Sequence, residues 1–187
     1  MSLKKIFAVT TLTLASSAAI AGGVSYDYVQ GGYVDYDEAD GFNIELSKEF
    51  SNNWYGRIDY TDIEGDVDLG LVSFKASGDL MRINVGYKTA ISSSTDFVAE
   101  LGYEDLDGQM LGLANSDSGY NALVGLRGMA SNNFELGGYV QYSDVLESTD
   151  ITVEGRYHFD NNFSVAVEVG HDDESDEHYG VNFRYSF

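Results

Sequence analysis

Three histidines, His158, His171 and His178, are the chain's whole stock of side chains that ordinarily change charge near neutral pH. There is no cysteine, which excludes thiol nucleophiles, thiolate metal sites and disulfides together. Hydrolysis of a peptide or lipid ester would need a serine or aspartate held beside one of those imidazoles. None stands there in a recognisable motif: His158 lies in GRYHFD, and His171 and His178 flank DDESDE. Catalysis is therefore not expected, a hydrolase stands third among the readings below, and no cofactor is implied.

The run HDDESDEH offers another chemistry. His171, Asp172, Asp173 and His178 would hold a divalent cation if a tight hairpin brought the two imidazoles together, although the run lacks the length and the central glycine of an EF-hand loop. The other reading is a solvated acidic loop that attracts Ca²⁺ or Mg²⁺ diffusely, with no fixed metal site.

A third pattern is charge embedded in apolar alternation. Arg57, Arg82, Arg127, Arg156 and Arg184 each alternate with apolar neighbours, and Glu45, Asp59, Glu100, Glu135, Glu154 and Glu168 share that polar parity. The elements that must carry such residues are extended. In a strand successive side chains point to opposite faces. The last ten residues, HYGVNFRYSF, thus set Tyr179, Val181, Phe183, Tyr185 and Phe187 on one face and His178, Gly180, Asn182, Arg184 and Ser186 on the other.

Eight more segments show the same period, beginning at Phe42, Trp54, Met81, Phe97, Tyr120, Phe134, Ile151 and Phe163. A tenth spans residues 24–36. Its facing stays open, because Tyr26, Tyr28, Val34 and Tyr36 fall on one parity and Val29 and Tyr33 on the other. Proline is absent, which suits strands whose residues must nearly all donate to a ladder. The connections alternate. SNN, AISSST, ASNN and DNN are short turns, with asparagine expected where positive φ is wanted. Between them lie acidic connections, the longest at residues 62–79 and 105–118. These two longest connections also carry Leu69, Leu71, Val72, Phe74, Met110, Leu111 and Leu113, which would pack on one another, extend strands, or offer a docking surface.

The apolar faces decide the solvent. Within their strands the one charged residue is Lys48, beside a turn from which it can snorkel. Aromatic residues bracket an aliphatic band at both ends of those faces, as at two bilayer interfaces. The fold class expected is all-β: a transmembrane antiparallel up-and-down β-barrel of ten strands, with eight as the alternative. Lys4 and Lys5, an apolar stretch over residues 6–14 and Ala19-Ile20-Ala21 read as a secretory signal peptide, cleaved after residue 21, leaving one domain over 22–187. The net charge of −21 argues against nucleic acid and anionic membrane surfaces as partners.

The whole pattern resembles the outer-membrane β-barrel families of Gram-negative bacteria. More narrowly, YDYVQGGYVDYDEADGFNIELS, ISSSTDFVAELGYEDLDG and the last strand pair resemble a family of small barrels regulated by diffusible signal factor. The resemblance implies a monomer in the cell outer membrane, in contact with lipid and lipopolysaccharide. It also implies that Tyr185 and Phe187 form the terminal signal read by the barrel assembly machinery, and it brings no catalytic residue.

Ten strands lie near the width that side chains just fill. Glu45, Arg57, Asp59, Arg82, Glu100, Arg127, Glu154, Arg156, Glu168 and Arg184 are expected to pair across the lumen and plug it, giving a structural or surface-interaction protein. The alternative is a small cation-selective, porin-like channel, since carboxylate rings select cations.

Overall fold

The computed structural model describes residues 23–36, 39–68, 73–110, 113–173 and 177–187. The expected leader lies outside the described residues, as do Leu69, Leu71, Val72 and Leu111 and the side chains of Phe74 and Met110. The alternating segments form ten strands: β1 (Tyr28–Tyr36), β2 (Ala39–Ser51), β3 (Trp54–Asp68), β4 (Ser73–Ala90), β5 (Thr95–Met110), β6 (Leu113–Met129), β7 (Phe134–Ser143), β8 (Ser148–His158), β9 (Phe163–Asp172) and β10 (Glu177–Ser186). Each pairs antiparallel with its sequence neighbours. β1 closes on β10 from Tyr28↔Ser186 to Tyr36↔His178, so the sheet is a closed barrel. Closure satisfies the ladder groups that an open edge would leave bare in hydrocarbon.

Burial is inverted relative to a protein dissolved in water. Phe42 is 69 % and Val167 61 % exposed on the outside, whereas Arg156, Glu104 and Glu135 inside are 0 % exposed. Such a continuous apolar exterior requires lipid, and the barrel is transmembrane. Replacing Val167, near the middle of this belt, by arginine is expected to cost about 2–4 kcal/mol of stability in bilayers. Urea titration of the protein folded into vesicles measures it; an unchanged midpoint would mean that this face does not touch acyl chains. The facing of β1 is also settled. Tyr28, Gln30 and Val34 are buried in the lumen, while Tyr33 is exposed outside.

The two longest connections are not loops. Residues 54–68 with 73–90, and 95–110 with 113–129, form tall hairpins that pair with each other from Ala76↔Met110 downward. In them the alternation keeps its period and reverses its sign. Outward positions of β3 run Trp54, Ile58 and Tyr60, then Asp62 and Glu64; those of β5 run Leu101 and Tyr103, then Asp105 and Asp107. Ile63 and Leu106 turn inward at these heights, and Leu80 is buried. The reversal fixes the membrane boundary, because above it the outer face meets water. Tyrosines sit at that level with their hydroxyls on carboxylates: Tyr60 donates to Asp79, Tyr103 to Asp105 at 3.0 Å and Tyr179 to Glu177 at 3.0 Å.

The short turns depart from the expected use of asparagine. Among the described residues the only non-glycine residue with positive φ is Glu147, in the turn between β7 and β8. Asn53, Asn133 and Asn162 instead bridge to the next strand. Their side-chain amides donate to the carbonyls of Lys88, His158 and Ser186 at 2.9, 3.0 and 2.7 Å. Their own carbonyls accept the N–H of the same three residues at 2.8, 2.8 and 2.7 Å.

In the last of these turns the Asp160 carboxylate accepts the backbone N–H of Phe163 at 2.7 Å and of Asn162 at 2.8 Å, which holds its pKa below the usual value. A depressed folded-state pKa gives stability that is present above the unfolded value, near pH 3.9, and is lost as pH falls through the folded one. Asp160→Ala is therefore expected to lower stability at pH 7 and to approach the parent protein at pH 2. Parallel urea curves at the two pH values check it.

Candidate functional site: the charged lumen

Inward parity brings the polar residues of neighbouring strands face to face. Glu45 lies opposite Asp59 on β3, and Asp59 opposite Arg82 on β4. Arg57 is the hub: Nη1 lies 3.0 Å from Glu45 Oε2 and 3.0 Å from Asp59 Oδ2, and Nη2 lies 2.7 Å from Glu100 Oε2. Arg82 Nε donates to Glu104 at 2.9 Å. Arg127 pairs with Glu135, whose other oxygen lies 2.9 Å from His158 Nε2. Arg156 reaches Glu154 at 2.8 Å, Gln30 at 3.0 Å and Ser164 at 3.3 Å. Each of these four guanidinium groups is thus paired with a carboxylate.

The remaining two charges named from the sequence are served by neutral groups. Arg184 Nε donates to Gln30 Oε1 at 2.9 Å, and its guanidinium stacks 3.7 Å from the Tyr28 ring centroid. Glu168 Oε2 accepts from Asn182 Nδ2 at 3.0 Å.

Several lumen residues escaped the sequence-based network. Glu104 and Glu135 are fully buried, and Glu104 also accepts from Ser143 Oγ at 2.7 Å and Val145 N at 3.1 Å. Tyr55 donates to Glu100 at 2.6 Å, and Tyr28 donates to Glu45. A readable signal existed for the large ones: a bulky inward side chain faces an inward glycine on the next strand. Tyr55 faces Gly86, Tyr139 faces Gly125, Asn84 faces Gly102 and Glu168 faces Gly180. A Cβ on Gly86 would lie 2.2 Å from Tyr55 Cζ, so the glycine makes room for the ring to lie across the lumen.

Toward the short-turn end part of the lumen is filled by an apolar cluster. Residues 23–27 run inside the wall, and Tyr26 is buried with Tyr55, Val98 and Leu123 against Val24 and Tyr139. The Tyr26 and Tyr55 ring centroids are 4.8 Å apart. Lys88 Nζ and Arg127 Cζ lie 4.1 and 5.0 Å from the Tyr26 centroid, and its hydroxyl donates to Asp96 at 3.1 Å. From this cluster a cavity of about 260 Å³ extends to Asp172 and His178 at the long-loop end, lined by seven carboxylates and four guanidinium groups.

The convergence of His171, Asp172, Asp173 and His178 that a fixed metal site would need is not found among the described residues. Gly170 pairs with His178, so period two sends His171 outward and His178 inward. His178 Nδ1 lies 3.3 Å from Asp150 Oδ2, and Asp173 accepts the Thr149 N–H at 3.0 Å. Among the described residues no three ligating side chains converge on a metal-sized point. At the carboxyl terminus Tyr185 and Phe187 face outward; Tyr185 packs on Phe163 with centroids 5.1 Å apart, and Lys48 Nζ lies 5.1 Å from the Phe187 ring.

No family model matches the sequence, and no curated protein does. Solved structures do resemble the fold. The KdgM porin in complex with disordered oligogalacturonate matches with a TM-score of 0.54 at 15 % identity, covering 86 % of this chain and 99 % of that one. The NanC porin matches with a TM-score of 0.54 at 13 % identity and the same coverage. The outer membrane protein OprG from Pseudomonas aeruginosa is more distant, with a TM-score of 0.48 at 12 % identity over 86 % of this chain and 94 % of its own. At such identities the likeness to the two porins is one of fold.

Proposed function

We propose that this chain is a non-enzymatic barrel of the bacterial outer membrane whose lumen is shut at its short-turn, periplasm-facing end, with a structural or surface-interaction role. The observation that supports this is the buried cluster of Tyr26, Tyr55, Val98 and Leu123 packed inside the barrel toward that end. The reading takes residues 1–21 as a removed leader and 22–187 as one monomeric domain among lipid and lipopolysaccharide. Assembly runs through a terminal signal at Tyr185 and Phe187, and the acidic rim gathers Ca²⁺ or Mg²⁺ diffusely. The stretches similar to the diffusible-signal-factor-regulated barrels agree with this picture.

A specific observation favours a second reading, a cation-selective channel: carboxylates outnumber guanidinium groups in the cavity wall. The oligogalacturonate held by the KdgM porin is a polyanion, and that excess would repel one here. Planar-bilayer recording of the refolded protein separates the two. Silence supports the closed lumen, and a steady cation-preferring current supports the channel.

A further inference from the structure

Two charges stand apart from the ion pairs of the lumen. Arg184 is only 6 % exposed and its Nη1 has no hydrogen-bond partner. No carboxylate lies within ion-pair distance of it among the described residues, and its electrostatic neighbours are the cations Arg127 and Arg156 together with the more distant carboxylates Glu154, Glu45 and Glu135. Among the described residues Glu168 likewise has no cation within ion-pair distance, and Asn182 donates the one hydrogen bond it receives there. A buried charge held by amides alone is costly, and other guanidinium groups in this lumen avoid that cost by pairing.

Arg184 and Glu168 line the same cavity. They stand on adjacent strands, Glu168 opposite Gly180 and Arg184 opposite Ser164. That register separates their backbone levels by four residues, or roughly 13 Å, and both side chains can lean to shorten the span. Tyr28, stacked on Arg184, gives the cationic end of the chamber an aromatic wall. The cavity reaches the long-loop mouth at Asp172 and His178, so a solute from outside has a route to both charges.

We infer that the lumen is a binding site for a small linear zwitterion, whose ammonium group pairs with Glu168 and whose carboxylate is forked by Arg184. The inference rests on reading the lumen as a chamber closed at the short-turn end. A solute carrying both charges completes both pairs at once. One carrying a single charge leaves the other protein group as it is, which separates this site from a general attraction for cations.

The test is isothermal titration of the refolded full chain in micelles with ω-amino acids, from 4-aminobutyrate to 8-aminooctanoate. Their N-acetylated forms keep only the carboxylate, and their amides keep only the ammonium. The expected result is binding that peaks at one chain length and weakens about tenfold or more when either end is capped. Glu168→Gln should abolish the preference for the free acid over its N-acetylated form, and Arg184→Gln the preference over its amide. If Arg184→Gln does not fold, judged by heat-modifiable gel mobility, Arg184→Lys replaces it, and since it keeps the charge and loses the fork it should weaken the preference over the amide without abolishing it. No heat at millimolar concentrations, equal binding of capped and free forms, or variants that bind like the parent would each overturn the site. Bilayer current judges the closed lumen separately: a conducting barrel that still discriminates capped from free forms would retain the site and discard the closure.

Discussion

Substituting Arg57 by methionine is expected to destabilise the barrel by about 3–5 kcal/mol, the usual loss when one partner of a buried ion pair is removed. Three carboxylates depend on this one guanidinium: Glu45, Asp59 and Glu100, at 3.0, 3.0 and 2.7 Å. Arg82 lies 3.9 Å from Asp59 and is engaged by Glu104, so it cannot take over. Methionine fills much of the same volume, so the loss reports charge and hydrogen bonding more than a cavity. Arg57→Lys should fall between the two, because an ammonium keeps the charge but cannot fork toward three acceptors. Urea unfolding in vesicles, followed by gel mobility, gives the numbers. A shift below about 1 kcal/mol for methionine would show that the carboxylates find water instead.

The second large effect concerns current. The parent protein is expected to be silent in a planar bilayer, while the double variant Tyr26→Ala and Tyr55→Ala should pass a steady current that favours K⁺ over Cl⁻ by a few-fold. Tyr26 precedes β1 and makes no ladder bond of that strand, so its truncation leaves the wall intact. The two rings, 4.8 Å apart, are the centre of the buried apolar cluster toward the short-turn end. Removing both leaves Val98 and Leu123, close together on the neighbouring strands β5 and β6, without the rings that cover them. If both proteins stay silent while folding normally, the closure lies elsewhere along the lumen.

How much of this was legible in the sequence follows from what period two can carry. The parity of nine segments placed Arg57, Arg82, Arg127, Arg156 and Arg184 inside, because a register error of one residue would put each into hydrocarbon. β1 was ambiguous for a physical reason: Tyr28 and Val34 are apolar yet line the lumen, so both faces of that strand look greasy. The tall hairpins were hidden by their acidity, which reads as loop composition. Their alternation is intact, with Asp62 and Glu64 outward and Ile63 inward, but its sign flips where lipid gives way to water. Period alone puts Glu104 and Glu135 on the inward face but cannot say which arginine meets which carboxylate, since the pairing is decided by the register between neighbouring strands: Arg82 stands opposite Glu104, and Arg127 reaches Glu135 one strand away. The two histidines of HDDESDEH fail as a pair for the same arithmetic that made the strands readable.

The four strands β3 to β6 are also much longer than the rest, with 18 residues in β4 against 10 in β9. At about 3.3 Å per residue and the usual tilt, one side of the mouth stands roughly 20 Å higher than the other. That parapet shelters the opening from bulky visitors on its own flank. Approach is left to the low sill formed by β8 to β10, where Asp150, Asp172 and His178 stand as the first groups an arriving molecule would greet.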